Sequence, residues 1–183
     1  PIVFIGGTSV GSIVGAYYAL NKDIAPLEEK ISKMGKKDFF KLIDLSSKAG
    51  LIKGDKIKKF LEEVYNDKCF SDTKIPLKMI ATDISSGKEV IIDSGKLADG
   101  ARASISIPGI FTPVEIDGKI LVDGGIVNST PIDIVKKMGA DIVIGIDLPV
   151  VKLEKGHELS IVNVIMQSFE IMRGRVNKIE EDE

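Results

Sequence analysis

Residues 4–18 read Phe4-Ile5-Gly6-Gly7-Thr8-Ser9-Val10-Gly11-Ser12-Ile13-Val14-Gly15-Ala16-Tyr17-Tyr18: an apolar run, a Gly-x-Ser-x-Gly turn, then an apolar stretch of helical character. Between a strand and a helix such a turn is tight enough to strain the serine backbone. Gly7 and Gly11 on either side remove side chains that would collide there. The hydroxyl of Ser9 then projects into open space, and neighbouring amides, that of Val10 among them, lie at a helix N-terminus where unpaired N–H groups and the helix dipole favour an oxyanion. Ser9 is the candidate nucleophile. Upstream, Ile2, Val3, Phe4 and Ile5 predict a short strand buried on both faces. Downstream, Gly11 and Gly15 share a helical face and predict close approach of that helix to a sheet. The competing reading is a plain glycine-rich turn of an α/β protein. A phosphate loop fits less well: Gly6 and Gly11 have its spacing, but Ser12 and Ile13 stand where Lys and Ser/Thr are needed.

The 183 residues are 44% hydrophobic and 28% charged, proportions of one ordinary globular domain. A net charge of −2 with 5% aromatic residues gives no general attraction to nucleic acid. The single cysteine, Cys69, cannot form an internal disulfide and fits a reducing, cytoplasmic setting. No apolar run approaches the ~20 residues needed to cross a bilayer, so any membrane contact is expected to be peripheral. One histidine, one cysteine and scattered carboxylates offer no metal-ligand spacing, and no cofactor is expected.

Further along, Pro26 predicts the first turn of a helix through Glu28, Ile31 and Met34, ended by Gly35. Phe39, Phe40, Leu42 and Ile43 form a short amphipathic piece, and 46–50 read as a loop. Asp55 is the expected cap of a helix with Ile57, Phe60, Leu61, Val64 and Tyr65 on one face. This region is either an ordinary surface layer or an apolar cover, from Phe39 to Tyr65, over a greasy cleft. Leu77 to Asp83 and Glu89 to Asp93 predict a hairpin-like strand pair, and Leu97 to Ser104 a helix stopped near Pro108. Asp117-Gly118 predicts a two-residue hairpin turn between Val114–Ile116 and Lys119–Val122. Pro131 starts a helix closed by Gly139, Asp141 to Asp147 reads as a doubly buried parallel strand, and a last helix runs from about Ser160 to Ile179. Strand-helix-strand order at both ends predicts an α/β fold, a mainly parallel central sheet with helices on both faces.

A serine hydroxyl at neutral pH needs a base within hydrogen-bond reach. The only histidine, His157, lies in the charged, loop-like stretch Val151 to Glu158, where a solvated imidazole is the simpler reading. Carboxylates at predicted strand ends, where active sites of open α/β sheets gather, are Asp83, Asp123 and Asp147. Asp123 has the best surroundings, because Gly124 and Gly125 permit a tight turn and close backbone approach.

At this point the chain resembles the patatin-like phospholipases, in particular the bacterial and archaeal patatin-like esterases. Gly7-Thr8-Ser9-Val10-Gly11 is similar to that family's nucleophile motif and Asp123-Gly124-Gly125 to its Asp-Gly-Gly motif. The stretches from Ser104 to Val114 and from Leu121 to Asp133 are similar in style, and the likeness runs from Phe4 to about Leu148. The resemblance implies a three-layer sandwich and a lipid acyl hydrolase, a phospholipase or carboxylesterase, working through a Ser9–Asp123 dyad without histidine. Ser9 would attack the ester carbonyl, Asp123 would take its proton, and burial would raise the Asp123 pKa. It also implies a glycine-rich oxyanion segment on a β-α unit ahead of the nucleophile strand. Residues 1–183 are therefore expected to be a single hydrolase domain lacking that unit. Two alternatives stand beside this: an α/β-hydrolase-type triad of Ser9, Asp123 and His157, and a non-catalytic lipid-binding or regulatory module. The expected partner is a lipid or acyl-ester substrate.

Overall fold

The computed structural model describes residues 1–45, 50–148, 164–165, 167–169 and 171–172. In chain order its elements are β1 (Ile5–Thr8), α1 (Val10–Asn21), α2 (Ala25–Ser32), α3 (Lys36–Lys41), β2 (Gly50–Ile52), α4 (Asp55–Val64) and β3 (Leu77–Asp83). Then come β4 (Lys88–Ile92), α5 (Leu97–Ser104), β5 (Gly109–Phe111), β6 (Val114–Ile116), β7 (Lys119–Asp123) and α6 (Ile132–Lys137). The strand-helix-strand order expected at both ends is present only at the start, since no strand follows α6 among the described residues; β3 and β4 run consecutively, as do β5, β6 and β7, and the class is α/β.

The main sheet has five strands and is a parallel and antiparallel mix, centred on β3. Its register decides where the site forms. On one edge β3 pairs antiparallel with β4, from Met79↔Ile92 to Asp83↔Lys88. On its other edge β3 is shared end to end by two strands. β1 runs parallel to it and finishes at Thr8↔Ile80. β7 runs antiparallel and finishes at Ala81↔Asp123. The ends of β1 and β7 thus meet head-on at adjacent positions of β3, although Thr8 and Asp123 are far apart in sequence. β6 adds outside β7, and β2 pairs with β5 in a separate two-stranded ribbon. The Asp117-Gly118 hairpin is as predicted, with both residues at positive φ, 50° and 74°.

Period-2 alternation along β3 divides the interior. Met79 and Ala81 face a core built with Ala16, Ala19 and Leu20 of α1, Leu61, Val64 and Tyr65, and Leu97, Ala98 and Ala101 of α5. Ile80 and Val122 are fully buried outside that cluster, with α6 packed on β1 and Gly124–Ile126 on β3. Helical layers therefore cover both faces.

Several local expectations differ. β1 begins at Ile5, and Ile2 and Val3 are 57% and 53% exposed, because pairing with β3 starts only at Ile5↔Leu77. Asp55 does not cap α4: the cap position is Gly54, and the Asp44 carboxylate accepts the amides of Gly54 (2.7 Å) and Lys56 (3.2 Å) from ten residues upstream. Burial pushes Asp44 up, but those amides outweigh it and hold the carboxyl below its ordinary value. Residues 141–148 form no strand. Ile142, Ile144 and Ile146 are 84%, 85% and 81% exposed. The apolar run that predicted a doubly buried strand reports a need for apolar neighbours, and Val143 to Leu148 instead line a cavity. α4, within the Phe39 to Tyr65 stretch, packs on α5 in the core, and among the described residues none from 39 to 65 lines that cavity. Of the last predicted helix, residues 164–165, 167–169 and 171–172 are helical, and its remainder lies outside the described residues.

Candidate active site

Ser9 lies in the turn between β1 and α1 with φ 53° and ψ −125°, a region that only glycine enters freely. The turn exists because Gly7 has no side chain: a Cβ there would stand 2.6 Å from the Gly11 carbonyl oxygen and 2.8 Å from Ser12 Cα. Gly11 is different, since a Cβ there meets nothing within 4 Å. The close approach of α1 to the sheet is made by Gly15, whose Cβ would touch Ile5 at 3.0 Å. The Ser9 carbonyl accepts the Ser12 amide at 2.9 Å and the Ser12 hydroxyl at 2.6 Å. Its N–H donates to Ser104 Oγ at 2.9 Å. Val10 opens α1, so its amide is one of the first-turn donors that have no acceptor within the helix.

The Ser9 hydroxyl donates to Asp123 Oδ2 at 2.7 Å. Asp123 is fully buried at the end of β7. Its Oδ1 accepts the Gly125 amide at 2.7 Å, its carbonyl accepts the Thr82 hydroxyl at 2.9 Å, and its own N–H donates to the Ser106 carbonyl at 2.9 Å. Gly124 follows because the chain must pass the β3 backbone: a Cβ would come within 2.4 Å of the Ile80 carbonyl oxygen. Both sequence motifs thus converge on Ile80 and Ala81 of β3. Of the other aspartates, Asp83 is bonded within its own turn to Ser85 and Ser86, and Asp147 accepts from Thr130. His157 lies outside the described residues.

Ser9 and Asp123 open onto a cavity of about 560 Å³. Its lining is mostly apolar, with Val14, Ile107, Ile132, Val135 and Phe169 alongside Gly7, Val10, Gly11 and Gly125. Among the described residues no cluster of three or more His, Cys, Asp or Glu could hold a metal ion, and no helix is long and apolar enough to cross a membrane.

The sequence reading passed over the polar residues behind the site. α5 is almost wholly buried, yet it carries Arg102 and Ser104 in its last turn, with buried Ser106 two residues beyond. Arg102, 4% exposed, donates to the carbonyls of Lys53 (2.7 Å), Gly54 (3.2 Å) and Thr112 (2.9 Å) and to Ser106 Oγ. Burial lowers its pKa, opposed by the charges of Asp44 and Asp55. Polar side chains on the alanine-rich face of a helix were the available signal.

The site is thus an elbow serine hydrogen-bonded to a buried aspartate, at an apolar cavity of a mixed α/β sheet. The family model for patatin-like phospholipases matches residues 1–136, and the chain belongs to that family. It is 32% identical over 148 residues to an uncharacterized NTE family protein of Mycobacterium tuberculosis, covering 80% of this chain and 41% of the relative. It is 30% identical over 154 residues to neuropathy target esterase of Drosophila melanogaster and 31% to human patatin-like phospholipase domain-containing protein 6. Each match covers 81% of this chain and 11% of the relative. The chain thus spans well under half the length of these relatives.

Proposed function

We propose that the protein is a lipid acyl hydrolase, a phospholipase or carboxylesterase, in which Ser9 is the nucleophile and Asp123 its base. The observation that carries this is the 2.7 Å hydrogen bond from the Ser9 hydroxyl to a fully buried carboxylate at an apolar cavity. Membership of a phospholipase family supports the ester-lipid substrate class.

In the proposed reaction Ser9 Oγ attacks the ester carbonyl as its proton passes to Asp123 Oδ2. The oxyanion of the tetrahedral intermediate lies against the Val10 amide at the N-terminus of the twelve-residue α1, where donor and helix dipole act together. A second donor is expected from the glycine-rich segment that the family resemblance implies. Protonated Asp123 then returns the proton to the departing alcohol, and the acyl group remains on Ser9. Water enters, Asp123 takes its proton, and hydrolysis frees the acid. The bond from Gly125 N–H holds Oδ1 and leaves Oδ2 aimed at Ser9. The acyl chain lies along Val14, Ile107, Val135 and Phe169. Around the cavity mouth Val10, Val14, Ile132, Ile144 and Ile146 are between 44% and 85% exposed, an apolar rim suited to peripheral contact with a lipid surface.

The test is p-nitrophenyl ester hydrolysis by Ser9→Ala and Asp123→Ala, each expected to fall on the order of 10³-fold or more with the fold intact. An active Asp123→Ala protein that loses activity on His157→Ala would replace the dyad with the triad. A full chain that never labels at Ser9 with a fluorophosphonate would make it a lipid-binding module.

A further inference from the structure

The strained backbone of Ser9 has to be held by something outside the turn itself, since a non-glycine residue at φ 53° and ψ −125° relaxes unless its surroundings over-determine it. The carbonyl of Ser9 is held locally by Ser12. The amide is held from 95 residues away, by the hydroxyl of Ser104 at 2.9 Å. That hydroxyl spends its own proton on the Ile80 carbonyl at 2.6 Å, so its lone pair faces the Ser9 N–H. Ser104 is fully buried, and water cannot substitute for it without opening the α5–β3 contact. Two residues on, the Ser106 carbonyl accepts the Asp123 amide at 2.9 Å. One short turn at the end of α5 therefore grips the backbone of both reacting residues.

We infer that Ser104 is a positioning residue of the proposed reaction: by accepting the Ser9 amide it sets the elbow torsion that aims Oγ at Asp123. It touches neither substrate nor the reacting atoms. With the Ser9 N–H committed to Ser104, the elbow's contribution to oxyanion binding falls to the Val10 amide. The inference rests on the Ser9–Asp123 reading and adds a requirement to it. Without the Ser104 hydroxyl, the half-buried Ser9 N–H loses its acceptor and Ser9 is free to rotate toward an unstrained φ, carrying Oγ off the carboxylate.

The experiment uses the full chain and two readouts, the rate of fluorophosphonate labelling at Ser9 and the kcat and KM for a p-nitrophenyl ester. Ser104→Ala is expected to slow labelling and kcat at least tenfold with KM within about threefold of wild type. Leu61→Val, a core truncation remote from the cavity, supplies a destabilised protein of comparable melting temperature that labels at the wild-type rate. If Ser104→Ala does not fold, the same tenfold criterion passes to Ser104→Cys, whose thiol keeps the volume but accepts an amide proton poorly. A folded Ser104 variant that labels and turns over within twofold of wild type overturns this inference alone. A wild-type chain that does not label at Ser9 overturns the dyad reading and this inference with it.

Discussion

The two glycines of the Gly-x-Ser-x-Gly turn look equivalent in sequence, and their surroundings predict opposite responses to alanine. A Cβ on Gly7 would stand 2.6 Å from the Gly11 carbonyl oxygen, where ordinary contact begins near 3.4 Å, so the start of α1 must retreat by about 0.8 Å. All three crowded atoms are backbone and none can rotate away. Overpacking of this kind costs about 1–3 kcal/mol, which lowers the melting temperature by about 3–10 °C in a chain of this size. A retreat of up to about 0.8 Å at the start of α1 moves the adjoining Ser9 and lengthens its 2.7 Å bond to Asp123. Gly11 has open space around its Cα and lies in the first turn of α1, so Gly11→Ala gains up to about 1 kcal/mol from reduced chain entropy and better helix propensity. Thermal melts of the two variants read the stability difference, and fluorophosphonate labelling at Ser9 reads the displacement. A Gly7→Ala protein that melts and labels like wild type would refute the reasoning, as would a Gly11→Ala protein destabilised to the same degree.

Asp44→Ala removes the cap of α4 and is expected to cost about 0.5–2 kcal/mol at pH 7. Because the folded-state pKa of Asp44 is depressed below the usual 3.8, its stabilisation is present above that value and is lost as pH falls through the folded pKa. Urea melts of wild type and variant should therefore begin to converge as pH falls below 3.8 and coincide only below the folded pKa, and a gap independent of pH would sink the assignment. Arg102→Ala leaves the carbonyls of Lys53, Gly54 and Thr112 without their buried donor and is expected to cost about 2–4 kcal/mol, read by chemical denaturation. A loss under about 1 kcal/mol would mean that water replaces the guanidinium.

What the sequence made legible was whatever short-range physics decides. The elbow, the β3–β4 pair and the β6–β7 hairpin each follow from residues within a few positions of one another, and their expected places agree with the structure to within a residue or two. Asp123 could be preferred over Asp83 and Asp147 because of the glycines after it. Its distance from Ser9 could not be read, since it depends on two independent registers against β3, Thr8↔Ile80 and Ala81↔Asp123. The cap of α4 was assigned to Asp55, the nearest acidic residue, whereas a loop brings in Asp44 from ten positions away. Val143, Ile144 and Ile146 misled for another reason: an apolar run marks side chains that want apolar company, and a cavity mouth and a buried strand ask for the same residues.

The head-on meeting of β1 and β7 separates the chemistry from the lengths of the connections. Ser9 and Asp123 are each located by their own strand's pairing with one seven-residue rail, β3, rather than by any loop that joins them. Insertions or deletions beyond Asn128, where Ser129 to Ile132 and Val143 to Leu148 line the cavity, would reshape access to it without altering the distance between Ser9 and Asp123. On the proposed reading, a chain organised this way can exchange substrates by varying its periphery while the Ser9–Asp123 geometry is inherited unchanged.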